Sequence, residues 1–241
     1  MHKKYDHSTS LHNTIAPREI VPKLMELFHP TSVLDVGCGL GTFLYCFKEL
    51  GVSRVLGLDG EWVDKELMNP YLAPEEFKTV DLEQRFGLSE QFDLVLCLEV
   101  AEHLSPTAAD RLVQSLTQAG NLVVFSAAIP LQGGDNHLNE QWLSYWEEKF
   151  AKFDYQLHDI LRPLFWHNEK IFWWYKQNIV LFASKAYSPP SHLVNNQLEN
   201  LVHPELFLFK SETLNRTLQG KIGIFKAVRI LLCAIRNKLP L

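Results

Sequence analysis

Cysteine is scarce in this chain: 241 residues hold four, Cys38, Cys46, Cys97 and Cys233, and no two of them make a CxxC pair. Few scattered cysteines in a long chain leave no disulfide framework and predict reduced thiols in a cytoplasmic protein. No apolar run approaches the roughly 18 residues of a membrane span. The opening stretch, MHKKYDHSTSLHNTIAPRE, is polar and has no apolar core of a signal peptide. Internal repeats and low-complexity tracts are absent. There is no excess of positive charge either: 23 Lys and Arg stand against 28 Asp and Glu, a net −5. Nothing global therefore points to a polyanionic partner.

What is present is ample core material, 46% hydrophobic residues, enough for one large domain or a domain with an extension. Short apolar runs alternate with helical spacing. Strands are predicted over 32–38, 54–60, 77–82, 92–100, 121–128, 155–161 and 178–185. Helices are predicted over 13–28 (despite Pro22), 41–50, 105–120, 139–153 and 168–177, with a helical turn or two over 61–69. Strand and helix in turn, joined by short connections, mean an α/β fold, a parallel sheet between layers of helix. The expected division is an arm and leading helix over 1–30, a domain over 31–186, and a linker and extension over 187–241, where Pro189-Pro190 breaks regular structure.

The first strand ends in VLDVGCGLGTF, residues 33–43, with Gly37, Gly39 and Gly41 at alternate positions behind Asp35. Glycines in the first strand-to-helix turn allow positive φ and let a ligand touch bare backbone. A dinucleotide site would show GxGxxG; this spacing is GxGxG. Asp59 ends the second strand, Asp81-Leu82 the third, and the fourth runs through FDLVLCLEVAEHL. Together, in this order, these segments resemble the motifs of class I S-adenosylmethionine-dependent methyltransferases, over roughly residues 15 to 185. The resemblance implies a Rossmann-like doubly wound sheet of about seven mostly parallel strands, helices on both faces and the last strand antiparallel. It implies S-adenosylmethionine as cofactor, with Asp35, Gly37, Cys38, Gly39, Gly41, Glu99 and Val100 along its methionine and ribose part. Asp59 and Gly60 would meet the ribose hydroxyls, and Asp81 and Leu82 the adenine.

Candidates for the chemistry come from the segments after strands four and five. Glu99, Glu102, His103 and His137 should open on the same sheet edge as the glycine loop. His137 could act as general base, with Asp135 and Asn139 as neighbours that could orient its ring. The same residues resemble the ExxEH-plus-His site of metal-dependent members, the plant small-RNA 2′-O-methyltransferases and quinone-pathway O-methyltransferases. That resemblance implies a divalent cation on Glu99, Glu102, His103 and His137, a reading ranked behind the metal-free one. EVxEH also occurs in members without metal, where Glu99 lies along the cofactor and Glu102 and His103 make structural or substrate contacts.

Two aromatic segments, around Trp142, Tyr145 and Trp146 and around Phe165, Trp166 and Phe172 to Tyr175, offer either a pocket for a ring-bearing acceptor or plain core packing. His7, His12 and Asn13 form either a lid or a frayed arm. Residues 201–241 carry seven Lys and Arg against two Glu, about +5, leaving −10 for the remainder. Within them 221–241 reads as a basic amphipathic helix, docked on the acidic domain or on a dimer partner in the first reading and on an anionic membrane surface in the second. The function expected is methyl transfer to a hydroxyl, ahead of an amine, of a small molecule such as a sugar or secondary metabolite. The alternatives are RNA 2′-O-methylation with a metal, which the −10 charge disfavours, and a non-catalytic cofactor-binding scaffold.

Overall fold

A computed structural model describes residues 13–187 and 200–238; His7, His12 and Pro189-Pro190 lie outside the described residues. The chain divides into two compact units, one up to Leu201 and one from Val202. The first unit runs α1 (Ile15–Phe28), β1 (Ser32–Val36), α2 (Thr42–Glu49), β2 (Arg54–Asp59), α3 (Lys65–Met68), β3 (Phe77–Thr79), β4 (Leu94–Leu98), α4 (Ala109–Ala119), β5 (Leu122–Ser126), α5 (Leu143–Ala151), β6 (Tyr155–His158), α6 (Arg162–Phe165), α7 (Trp173–Asn178) and β7 (Val180–Ser184). The second holds α8 (Pro204–Leu218) and α9 (Ile224–Lys238).

The seven strands form one sheet in the order β3-β2-β1-β4-β5-β7-β6. β7 runs antiparallel to both β5 and β6, and the remaining pairs are parallel. The apolar runs of β1, β4 and β5 are continuous because both faces are covered. Val33, Leu94, Leu96, Val124 and Leu181 point into a core with α1 and α2. Their neighbours Leu34, Val95, Val123, Phe125 and Phe182 point into a second core with α4 and α5. α1 continues through Pro22, which lies on its exposed side, where the carbonyl left without a donor is open to solvent. The order in which strands are added reverses between the parallel neighbours β1 and β4, and in open sheets ligands bind beyond the carboxyl ends of the strands at such a point.

Several boundaries fall short of the sequence expectation. β3 stops at Thr79, and Asp81 opens a turn instead, its Oδ1 accepting from the Glu83 amide at 3.0 Å. A local side-chain bond of this kind competes with the strand ladder. β4 ends at Leu98 because Glu99 takes a positive φ of 55°. α5 begins only at Leu143, since Trp142 is still extended. α8, fifteen residues long, is a helix the sequence reading left inside the extension.

Candidate active site

All three glycines after β1 have positive φ: 80° at Gly37, 52° at Gly39 and 82° at Gly41. A side chain is excluded by space as well. A Cβ on Gly37 would lie 2.3 Å from Val100 Cγ2, and one on Gly41 2.4 Å from Leu72 Cδ1. The loop is pinned to the end of β2: the Gly37 and Cys38 amides donate to the Leu58 carbonyl at 2.7 and 3.1 Å. Asp59 completes the clamp, its Oδ2 accepting from the Gly39 amide at 2.8 Å and its Oδ1 from the Gly60 amide at 2.6 Å. Each carboxylate oxygen keeps a second lone pair for another donor. Asp35 and Asp59 are both buried. Burial, followed by the charge of Asp59, pushes Asp35 up to about 8. Burial also raises Asp59, against the pull of its two amide bonds.

The loop forms one wall of a cleft of about 400 Å³, a size that suits a small organic ligand. Asp35, Gly37, Cys38, Asp59, Leu82, Glu99, Val100, Glu102, His103 and His137 all line it; Gly39, Gly41, Gly60 and Asp81 do not. Gly39 and Gly41 shape the loop from behind, and Gly60 lies under the ring of Trp62, which an added Cβ would meet at 2.2 Å. Trp62 is a wall residue that no motif in the sequence announced. The opposite wall is aromatic, from Phe172 through Tyr175, with Phe172 and Trp174 stacked at 4.4 Å. The other aromatics divide. Trp146 and Phe165 are buried in the core, and Trp142 is partly exposed. Asn13 also lines the cleft.

At the far end of the cleft stand the titratable groups. The Glu99 carboxylate accepts from Asn178 Nδ2 at 3.1 Å and Gln132 Nε2 at 3.2 Å. Burial outweighs these bonds and raises Glu99 to about 7. Glu102 is fully buried, beside the Ala128 amide and the Glu99 carboxyl. Burial and then the Glu99 charge drive its pKa far up. His103 is lowered to about 4 by burial and then by His137; the two rings meet edge to face at 4.9 Å. His137 Nδ1 lies 2.9 Å from Glu140 Oε1. Glu140 is itself held by the Gly133 amide at 2.6 Å and the Leu131 amide at 2.8 Å. The sequence reading named Asp135 and Asn139 as neighbours for this ring; the residue that holds it is Glu140. A His and a Glu three positions apart, His137 and Glu140, were the available signal.

One atom each from Glu102, His103 and His137 lies within 4.8 Å of the others. Glu99 stays outside this group, engaged by Asn178 and Gln132.

A sheet of this order with a glycine loop, an acid at the end of β2 and a cleft at the switch point defines a nucleoside-cofactor domain of the Rossmann-like class. The comparisons narrow it. The family model described as a methyltransferase domain matches residues 11–168, and the chain belongs to that family. It carries an S-adenosylmethionine-dependent methyltransferase domain. A curated relative, a small RNA 2′-O-methyltransferase of Gallus gallus, is 31% identical over 125 residues, 45% of this chain and 33% of that protein. The chain thus spans about a third of that relative's length. A putative O-methyltransferase from Nostoc punctiforme shares the fold at a TM-score of 0.51 and 15% identity, over 73% of this chain and 58% of the other. PKMT2 from Rickettsia typhi, in complex with AdoHcy, does so at 0.52 and 13%, over 75% and 55%.

Proposed function

We propose that the chain moves the methyl group of S-adenosylmethionine to a hydroxyl oxygen of a small ring-bearing molecule, such as a sugar or secondary metabolite, in preference to an amine. One observation carries the reading: a single cleft joins the glycine loop and Asp59 to His137 and to an aromatic wall. In this reading the free lone pairs of Asp59 take the ribose hydroxyls, Leu82 and Trp62 flank the adenine, and Asp81 and Gly60 support that side from the rim. Asp35, Glu99 and Val100 line the methionine end.

The cofactor supplies an electrophilic methyl group on a sulfonium. The protein must hold the acceptor oxygen in line with the C–S bond and remove its proton. His137 is placed for the second task. Its Nδ1–H donates to Glu140, which fixes the tautomer, leaves a lone pair on Nε2 and stabilises the imidazolium. As the O–C bond forms and the C–S bond breaks, the hydroxyl proton passes to Nε2. The products are the methyl ether and S-adenosylhomocysteine.

A second reading has its own support. Glu102, His103 and His137 would fit a divalent cation, since one donor atom of each lies within 4.8 Å of the others and Glu140 orients His137 as outer-sphere carboxylates do. Bound there, a cation would lower the pKa of a coordinated hydroxyl. The chicken relative is a small RNA 2′-O-methyltransferase, and a ribose hydroxyl of RNA would then be the model acceptor.

The test has three arms. Calorimetry should give a binding heat with S-adenosylmethionine and none with NAD, and Gly37→Ala should weaken the former at least about tenfold. Once a co-purified acceptor is identified by mass spectrometry, His137→Asn should cut turnover by roughly 10²–10⁴ with cofactor affinity unchanged. Chelator should leave turnover as it was. Loss with chelator and rescue by Mg²⁺, Mn²⁺ or Zn²⁺ would turn the assignment to the metal reading, and no heat with S-adenosylmethionine would sink both.

A further inference from the structure

The second unit carries a feature the methyl-transfer reading does not use. In α9, Ile224, Val228, Leu231 and Ile235 follow at steps of four and three and so share one side of the helix. Phe225 and Leu232 widen that side. All six are between 46% and 93% exposed. Arg229 and Arg236 flank this arc, Lys226 stands on the far side of the helix, and no acidic residue follows Glu212 to the end of the sequence. A contiguous apolar face of this size is uncommon on a surface that meets only water. α8 presents Phe207, Leu214 and Leu218 on one side as well, but its Glu205 and Glu212 offset its Lys210 and Arg216.

We propose that α9 lies flat on an anionic lipid surface, with the apolar arc among the acyl chains and the cations at the headgroups. The argument is charge and geometry together. An apolar arc flanked by cations and free of acids matches the two layers of an anionic leaflet edge, apolar below and negative above. A protein partner would need the same two features in the same order within about 10 Å of depth. Spanning is excluded among the described residues, since no helix is long and apolar enough to cross a membrane. The consequence is tethering: the chain would be held at a membrane surface through its second unit.

The test is sedimentation of the full chain with vesicles of phosphatidylcholine alone and of phosphatidylcholine mixed with phosphatidylglycerol. Binding should favour the mixed vesicles at least about tenfold and weaken as salt is raised. The double change Arg229→Gln and Arg236→Gln should cost about thirtyfold, because each cation near such a surface is worth about a fivefold factor. Leu231→Asp with Ile235→Asp should abolish binding while the circular dichroism spectrum is kept. Equal binding to both vesicles overturns the proposal. So does a dimer in sedimentation equilibrium that Leu231→Asp dissolves, which would assign the arc to a second copy. A melting temperature lowered by Leu231→Asp, with no vesicle binding by the parent chain, would assign it to the protein's own surface.

Discussion

At Asp35 two demands meet. The residue lies one position before the end of β1, close to the glycine loop, and burial with the Asp59 charge nearby lifts it from an ordinary value of 3.8 to about 8. A raised carboxyl pKa means that the folded chain binds more protons than the unfolded one between those two values. Stability from this group is therefore full below about 4 and is lost as pH climbs towards about 8, at up to ~1.4 kcal/mol per pH unit. Urea unfolding across that range, without cofactor, should show the decline, and Asp35→Asn should make it shallower, the remainder coming from Asp59, Glu99 and Glu102, which burial raises as well. Parallel profiles for the two proteins would refute the assignment. The three glycines were legible in the sequence because backbone geometry requires them, through three positive φ angles and close approaches to Val100 and Leu72; Asp35 and Asp59 were legible through the motifs they share with those glycines. Trp62, Gln132, Asn178 and Glu140 were not legible. Their places depend on which loops the fold brings over the cleft, and no spacing along the chain encodes that.

Among elements, the buried strands read most easily, because parallel strands covered on both faces are continuous apolar runs with nothing else to be. Boundaries were harder where a side chain competes locally, as Asp81 does after β3, or where the backbone turns for the site, as at Glu99. The aromatic helices show the limit of periodicity. The spacing of Trp142, Tyr145 and Trp146 fits core and pocket equally, and the structure buries Trp146 against Phe125 at 5.1 Å while α7 carries the cleft wall. The core of that layer rests on a parallel stack of Phe150 in α5 on Phe182 in β7, centroids 3.9 Å apart and planes within 6°. Both rings are buried. Phe150→Ala should cost about 3–5 kcal/mol, read as a lower urea midpoint at an unchanged slope. A loss under 1 kcal/mol would mean that α5 collapses onto the vacated space and that the stack is dispensable.

For the molecule as a whole, charge distribution decides between small and polymeric acceptors. Residues 1–200 carry a net −10 and residues 201–241 about +5. A site that takes single-stranded RNA must neutralise phosphates, and each contact appears as a salt slope of about −0.7. Six contacts would make affinity fall about three-hundredfold between 50 and 200 mM salt. The unit with the cleft has no surplus of cations to supply them, whereas α9 could bind RNA through charge alone and imitate the effect. The measurement therefore uses the full chain with Lys226→Gln, Arg229→Gln and Arg236→Gln, and follows fluorescence anisotropy of a short labelled RNA. With a small-molecule acceptor, no saturable binding is expected at low salt, and the parent chain's weak binding should vanish with the three cations. Tight binding that survives those changes and falls steeply with salt would place phosphate contacts on the domain itself. The triad of Glu102, His103 and His137 would then be read as a metal site for a ribose hydroxyl.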